Sequence, residues 1–146
     1  MSRFVFTTFV AAPRGRVFEL WIDLDRMREW LEGVSRATDV SGPVDQAGTS
    51  YTVWFGRMPS RTQVLDVERP HYIRTHFGNR LLRGVIEARF EPHDGGTRLT
   101  QRLDTEGLVA GLAARIFAIG SYEGSFRGEL ATFARLAEAE ARSGDA

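Results

Sequence analysis

Cysteine and lysine are both missing from the 146-residue chain. Without cysteine there is no disulfide framework, no thiolate nucleophile and no thiolate metal site. Without lysine, all 19 basic residues are arginine, and they balance 19 acidic residues. A neutral chain argues against a general nucleic-acid binder, which carries a basic excess. The arginine-only usage reads either as genomic codon bias or as selection for guanidinium chemistry, and the scatter of the arginines favours the first. No apolar run reaches the length of a membrane span, so no stable membrane insertion is expected. The start, Met1-Ser2-Arg3-Phe4-Val5, lacks the charged, then apolar, then small order of a signal peptide, which points to a cytoplasmic protein. His71, His76 and His93 are the only histidines, and their spacing with the acids builds no metal set. There is no Gly-x-Ser-x-Gly elbow. Gly95-Gly96 opens a strand rather than a helix, so it is no nucleotide-binding loop. No metal and no cofactor are expected, no catalytic motif is recognisable, and whether the chain is an enzyme stays open.

What is present reads as one domain over residues 1–142, with a frayed tail at 143–146. Phe4 to Val10 is rich in aromatic and β-branched residues and reads as a strand. Pro13 opens a short helix carrying Val17, Phe18, Leu20, Trp21 and Leu24. Asp23 or Asp25 can cap a second short helix that holds Met27, Trp30 and Leu31 and stops at Gly33. Strands then follow in series: Val34 to Val40, Thr49 to Phe55, Ser60 to Glu68, His71 to Phe77, Leu81 to Glu91 and Thr97 to Asp104. Glycine, proline and short polar turns separate them, so consecutive strands are antiparallel neighbours.

Two strands show an inner face by alternation. Leu82, Gly84, Ile86, Ala88 and Phe90 share one side of the first, and Leu99, Gln101 and Leu103 share one side of the second. Thr49 to Phe55 and Ser60 to Glu68 carry apolar residues at both parities, so their facing stays open. His76, alternating with Ile73, Thr75 and Phe77, is expected to face outward. Arg57, Arg61, Arg74, Arg83 and Arg89 suggest a basic outer surface, or more simply a solvated face paired with local acids. From Leu108 to Arg142 the chain has no proline, and Leu108, Leu112, Ile116, Ile119, Phe126, Leu130 and Phe133 recur at helical spacing. The whole is α+β: an antiparallel sheet with a long helix against one face.

The ordered set of motifs resembles the START-like, or Bet v 1-like helix-grip, superfamily. It is most similar to the polyketide cyclase/dehydrase and lipid-transport group. The resemblance covers almost the whole chain. It rests on the opening strand followed by "APRGRVFELWID" (Ala12 to Asp23), on Trp30, on Gly48, on "VLDVERPHYI" (Val64 to Ile73), on "GTRLT" (Gly96 to Thr100) and on the terminal helix. It implies a curved antiparallel sheet gripping the long C-terminal helix, two short helices after the first strand, and an apolar cavity between sheet and helix. It also implies three functions: binding of a lipid, polyketide or isoprenoid-like molecule, cyclase/aromatase-like catalysis in the same cavity, or a co-chaperone-like interaction module resembling the Hsp90-ATPase activator homologues. A fold does not choose among these.

Candidate ligand-binding residues follow from type and position. Trp30, Tyr51, Trp54, Tyr122 and Phe126 are the large aromatics placed to line a cavity, or simply to fill a core. Gln101 is a polar residue on an apolar face, able to orient a ligand or to be satisfied by a backbone group. Glu123 points toward the apolar sector between Ile119 and Phe126. There a dry environment would raise its pKa, unless it pairs with Arg127 one turn on. Gly120, Gly124 and Gly128 lie four apart, with Ala113 and Ala131 near the same sector. Three interior glycines cost a helix about 3 kcal/mol, which suggests space kept for a ligand or a close approach. That glycine row, or a sheet edge, could also pair two copies into a homodimer.

Overall fold

The computed structural model describes residues 2–79, 83–106 and 121–144, with side chains from 3–79, 83–105 and 126–144. Strand β1 (Ser2–Val10) leads through Pro13 into helix α1 (Arg14–Ile22) and then a 3-10 helix (Leu24–Glu29). Asp23 stands at the N-cap of the 3-10 helix, but its side chain makes no capping bond. Six strands follow: β2 (Val34–Thr38), β3 (Ser50–Phe55), β4 (Met58–Glu68), β5 (Tyr72–Gly78), β6 (Arg83–His93) and β7 (Gly96–Glu106). Helix α2 (Ser121–Gly144) closes the chain. The expected helical residues Leu108 to Gly120, and Leu82 of the sixth strand, lie outside the described residues.

All seven strands form one open antiparallel sheet in the order β1-β7-β6-β5-β4-β3-β2. A longer connection, residues 39–49, joins β2 to β3, and short turns join β3 through β7, so β2 through β7 form a meander. The β6–β7 hairpin closes on Asp94-Gly95, both at positive φ (45° and 79°), the paired left-handed conformation that a two-residue turn needs to match strand twist. Register shifts between Val34 and Arg36 and between Val64 and Asp66 bend the sheet, as an extra residue on one strand does, and the sheet curves around α2.

Helix α2 buries Leu130, Phe133, Ala134, Ala137 and Ala141, a stripe at three- and four-residue spacing. This stripe meets the inner face of the sheet and α1. Phe18 and Phe133 are fully buried. Trp21 packs edge-on against Phe90 and Phe133 (5.9 and 5.2 Å between centroids), and Trp30 against Phe133 (4.9 Å). Thr97 donates its buried hydroxyl to the Ala12 carbonyl at 2.8 Å, tying β7 to the turn that enters α1.

The alternation read in β6 and β7 holds: Gly84, Ala88, Phe90, Leu99, Gln101 and Leu103 are buried. The outer face is a lattice of ion pairs rather than a bare basic surface. Arg3 meets Asp104 at 2.6 Å, Arg89 meets Glu87 at 3.0 Å, Arg98 meets Glu91 at 3.1 Å, and Arg102 reaches both Glu87 and Asp104. Such exposed pairs set solubility and surface order more than stability.

Candidate functional site

A cavity of about 340 Å³ lies between the inner face of the sheet and the first described turns of α2. The ladder register explains why it exists. One row across the sheet runs Phe6, Gln101, Ala88, Ile73 and the next Leu103, Ile86, Thr75, Val64, while a third runs Thr105, Gly84, Phe77, Thr62, Tyr51. Many of these residues are small or short, notably Gly84, Ala88, Thr62 and Thr75. Phe6 reaches the helix and stacks on Phe126 with 5.9 Å between ring centres, while the short side chains Ala88, Thr62 and Thr75 leave a hollow beside that contact.

The structure settles the facing of β3 and β4, which the sequence leaves open. Tyr51, Val53 and Phe55 of β3 and Met58, Ser60 and Thr62 of β4 line the cavity. The alternate residues of β3 face outward, where arginines cover them. The Arg61 guanidinium donates to the Thr52 hydroxyl at 3.0 Å, and the Arg36 guanidinium stacks 4.9 Å from the centre of the Trp54 ring. These covered outward residues are what blurs the period-two pattern.

Of the seven expected ligand-binding residues, the structure brings four together: Trp30, Tyr51, Gln101 and Phe126 all line the cavity. Trp54 is not brought there. Its indole lies on the outer face, donating to the Thr38 hydroxyl at 2.9 Å. Tyr122 and Glu123 fall in the first turn of α2, and their side chains lie outside the described residues.

The carboxylate that does line the cavity is Glu129, which residue-by-residue reading of the helix passes over. It follows Phe126 by three and precedes Phe133 by four, so it lies within the apolar stripe itself. Its Oε1 accepts a hydrogen bond from the Glu32 backbone N–H at 3.3 Å. Burial pushes its pKa up to about 7, the Glu32 carboxylate adds to the rise, and the bond from the Glu32 amide opposes it. Glu129, Trp30 and Leu31 line a second, open cleft on the outside as well. Glu129 therefore stands in the wall between inside and outside.

Among the described residues, the other polar groups that line the cavity are neutral. Gln101 is 5% exposed and Tyr51 is 6% exposed. Burial raises the Tyr51 phenol to about 12, so it is a hydroxyl at any physiological pH. The Trp30 indole N–H is buried without a hydrogen-bond partner, packed 5.0 Å from Trp21 centre to centre. Gly128, a member of the glycine row, borders the outer cleft, and a Cβ there would meet nothing within 4 Å. No close approach requires it. Among the described residues there is no group of three potential metal ligands, and no helix is long and apolar enough to cross a membrane.

A long helix gripped by a curved antiparallel sheet, with a mostly apolar hollow between them, defines a helix-grip protein. The chain belongs to the polyketide cyclase/dehydrase and lipid-transport family, whose model matches residues 1–138. No curated protein matches the chain by sequence. Solved structures share the fold. Protein MLL2253 from Mesorhizobium loti superposes with a TM-score of 0.74 at 14% identity, covering 92% of this chain and 96% of that one. TTHA0849 from Thermus thermophilus gives 0.70 at 19% identity, covering 95% and 99%. The Aha1 dimer from Colwellia psychrerythraea gives 0.71 at 11% identity, covering 94% and 97%.

Proposed function

We propose that this protein binds a hydrophobic or amphipathic small molecule in the cavity between the sheet and α2. The observation that carries the reading is the cavity itself. Protein interiors are packed to the density of organic crystals, and a hollow of about 340 Å³ with an apolar lining is costly unless something occupies it. Its size falls within the range of small-molecule sites, which run roughly 300–1,000 Å³. The family description, polyketide cyclase/dehydrase and lipid transport, agrees with that use. Trp30, Phe126 and the inner residues of β3 to β5 would supply apolar contact, and Tyr51, Gln101 and Glu129 would orient the ligand's polar end. Native mass spectrometry of protein purified without detergent tests this: a carrier retains a non-covalent mass that organic extraction removes. Protein that shows only the bare chain mass, and takes up no apolar probe such as Nile red, would overturn the reading.

A second reading is cyclase-like catalysis in the same cavity, and one observation favours it. A carboxyl that titrates near neutrality, as Glu129 does, suits proton transfer in both directions. Glu129→Gln separates the two: a binding protein keeps its uptake of a neutral ligand, whereas an enzyme keeps affinity and loses turnover.

A further inference from the structure

The cavity has a charge character that the chain's composition makes informative. The chain holds 19 arginines, yet among the described lining residues no arginine or histidine appears, and the one acidic side chain is Glu129. The remaining polar groups, including Tyr51, Gln101 and Thr62, are uncharged at physiological pH. Binding sites for fatty-acid or phosphate anions place a guanidinium or an ammonium at the head group, because an anion leaving water needs a cation or several donors. Among the described residues, the lining offers the opposite charge.

From this we infer that the cavity selects its ligand by head-group charge: it takes a neutral or cationic amphipath whose head donates a hydrogen bond to Glu129, such as an alcohol or a protonated amine, and excludes carboxylate and phosphate heads. This rests on the binding function proposed above and names its ligand class. The Glu32 amide already occupies Oε1 of Glu129 at 3.3 Å, and a ligand donor would complete the carboxylate's hydrogen bonding. A carboxylate head would meet like charge in a low-dielectric space, where repulsion is strongest.

The charged groups that surround Glu129 sharpen the expectation. Glu32 faces it from the turn after the 3-10 helix, and Arg28, Glu29 and Arg135 line the outer cleft alongside it. The two arginines stand on the outer side and do not line the cavity. They leave the inner face acidic once Glu129 ionises.

The test is a head-group series on one chain length: 1-decanol, decylamine and decanoate, measured by Nile red displacement and by calorimetry at pH 8.5. Decanol and decylamine are expected to bind at least 30-fold more tightly than decanoate. In Glu129→Gln that gap should narrow at least tenfold, through tighter decanoate binding. Lowering the pH to 6 should strengthen decanoate binding to the native protein and leave the variant unchanged. If decanoate binds the native protein as well as decanol does, or if the gap survives unchanged in Glu129→Gln, the charge selection is wrong while the binding function stands. If no member of the series binds, the charge selection is wrong, and the binding function falls with it only where Nile red is not taken up and no co-purified mass is found.

Discussion

The two ends of the sheet–helix sandwich share the same strands and the same helix, yet they are built in opposite ways. At one, Phe18, Phe90, Phe133 and Leu99 are fully buried and the alanines Ala134, Ala137 and Ala141 let α2 lie close. At the other, Phe126 and Glu129 of the same helix look across a hollow at Thr62, Thr75 and Tyr51. At the packed end bulky rings meet small alanines of the helix, whereas at the hollow end large residues such as Phe126, Tyr51 and Phe77 stand around the rim of the space and short ones such as Thr62 and Thr75 leave it open. Fully buried rings are concentrated in the first region, and the polar side chains Tyr51, Gln101 and Glu129 line the second.

Substitutions should separate the regions. Phe133→Ala at the packed end removes a ring that touches Trp21 and Trp30. It should cost about 3–5 kcal/mol, seen as a lower midpoint in urea denaturation, whereas the cavity-lining Phe126→Ala should cost distinctly less. Equal losses would erase the contrast. Glu129→Gln should show a pH-dependent gain. The folded protein holds this proton up to about pH 7, the unfolded chain only to the ordinary carboxylate range. Native stability therefore falls as pH rises through that window. The variant should be more stable by on the order of 3 kcal/mol above pH 8 and by almost nothing below the ordinary carboxylate range, as read from paired urea titrations.

Filling space should also divide the molecule. Ala137→Leu adds bulk where α2 is tightly seated and should cost about 1–3 kcal/mol. Thr75→Leu projects into the hollow, so it should leave the urea midpoint nearly unchanged while abolishing Nile red uptake. The smallest effect belongs to Gly128→Ala. Since a Cβ there meets nothing within 4 Å, the substitution should stabilise α2 by about 1 kcal/mol, and a loss instead would reveal a packing role for the glycine row.

The strands, the antiparallel pairing of those that follow one another directly, and the inner faces of β6 and β7 are legible in the sequence, because alternation reports burial and turn residues report connections. The pairing of β1 with β7 is not, since it joins the two ends of the strand series. The face of β3 is not, because Trp54 and Thr52 look apolar or neutral in sequence while arginines cover them from outside. That is also why an aromatic residue type misleads at Trp54. Glu129 is readable in principle, since three residues separate it from Phe126 and four from Phe133. It escapes notice because a carboxylate within an apolar stripe reads as an exposed neighbour until the opposing wall is known to be hollow. Tyr51, Gln101, Trp30 and Phe126 reach the cavity because face or position, as well as residue type, points each of them there.

The pairing of β1 with β7 has a consequence for how the chain is made. Residue 2 finds its partner only at residue 105, whereas each later strand pairs with its immediate successor. As the polypeptide leaves the ribosome, β2 to β6 can zip up hairpin by hairpin, while β1 waits for nearly the whole domain to emerge. Its Val5 and Phe9, exposed even in the finished protein, stay uncovered throughout that interval. Long-range closure of this kind slows folding and leaves an unpaired strand open to other chains. The opening strand is therefore where synthesis, rather than the finished structure, puts the protein most at risk of aggregation.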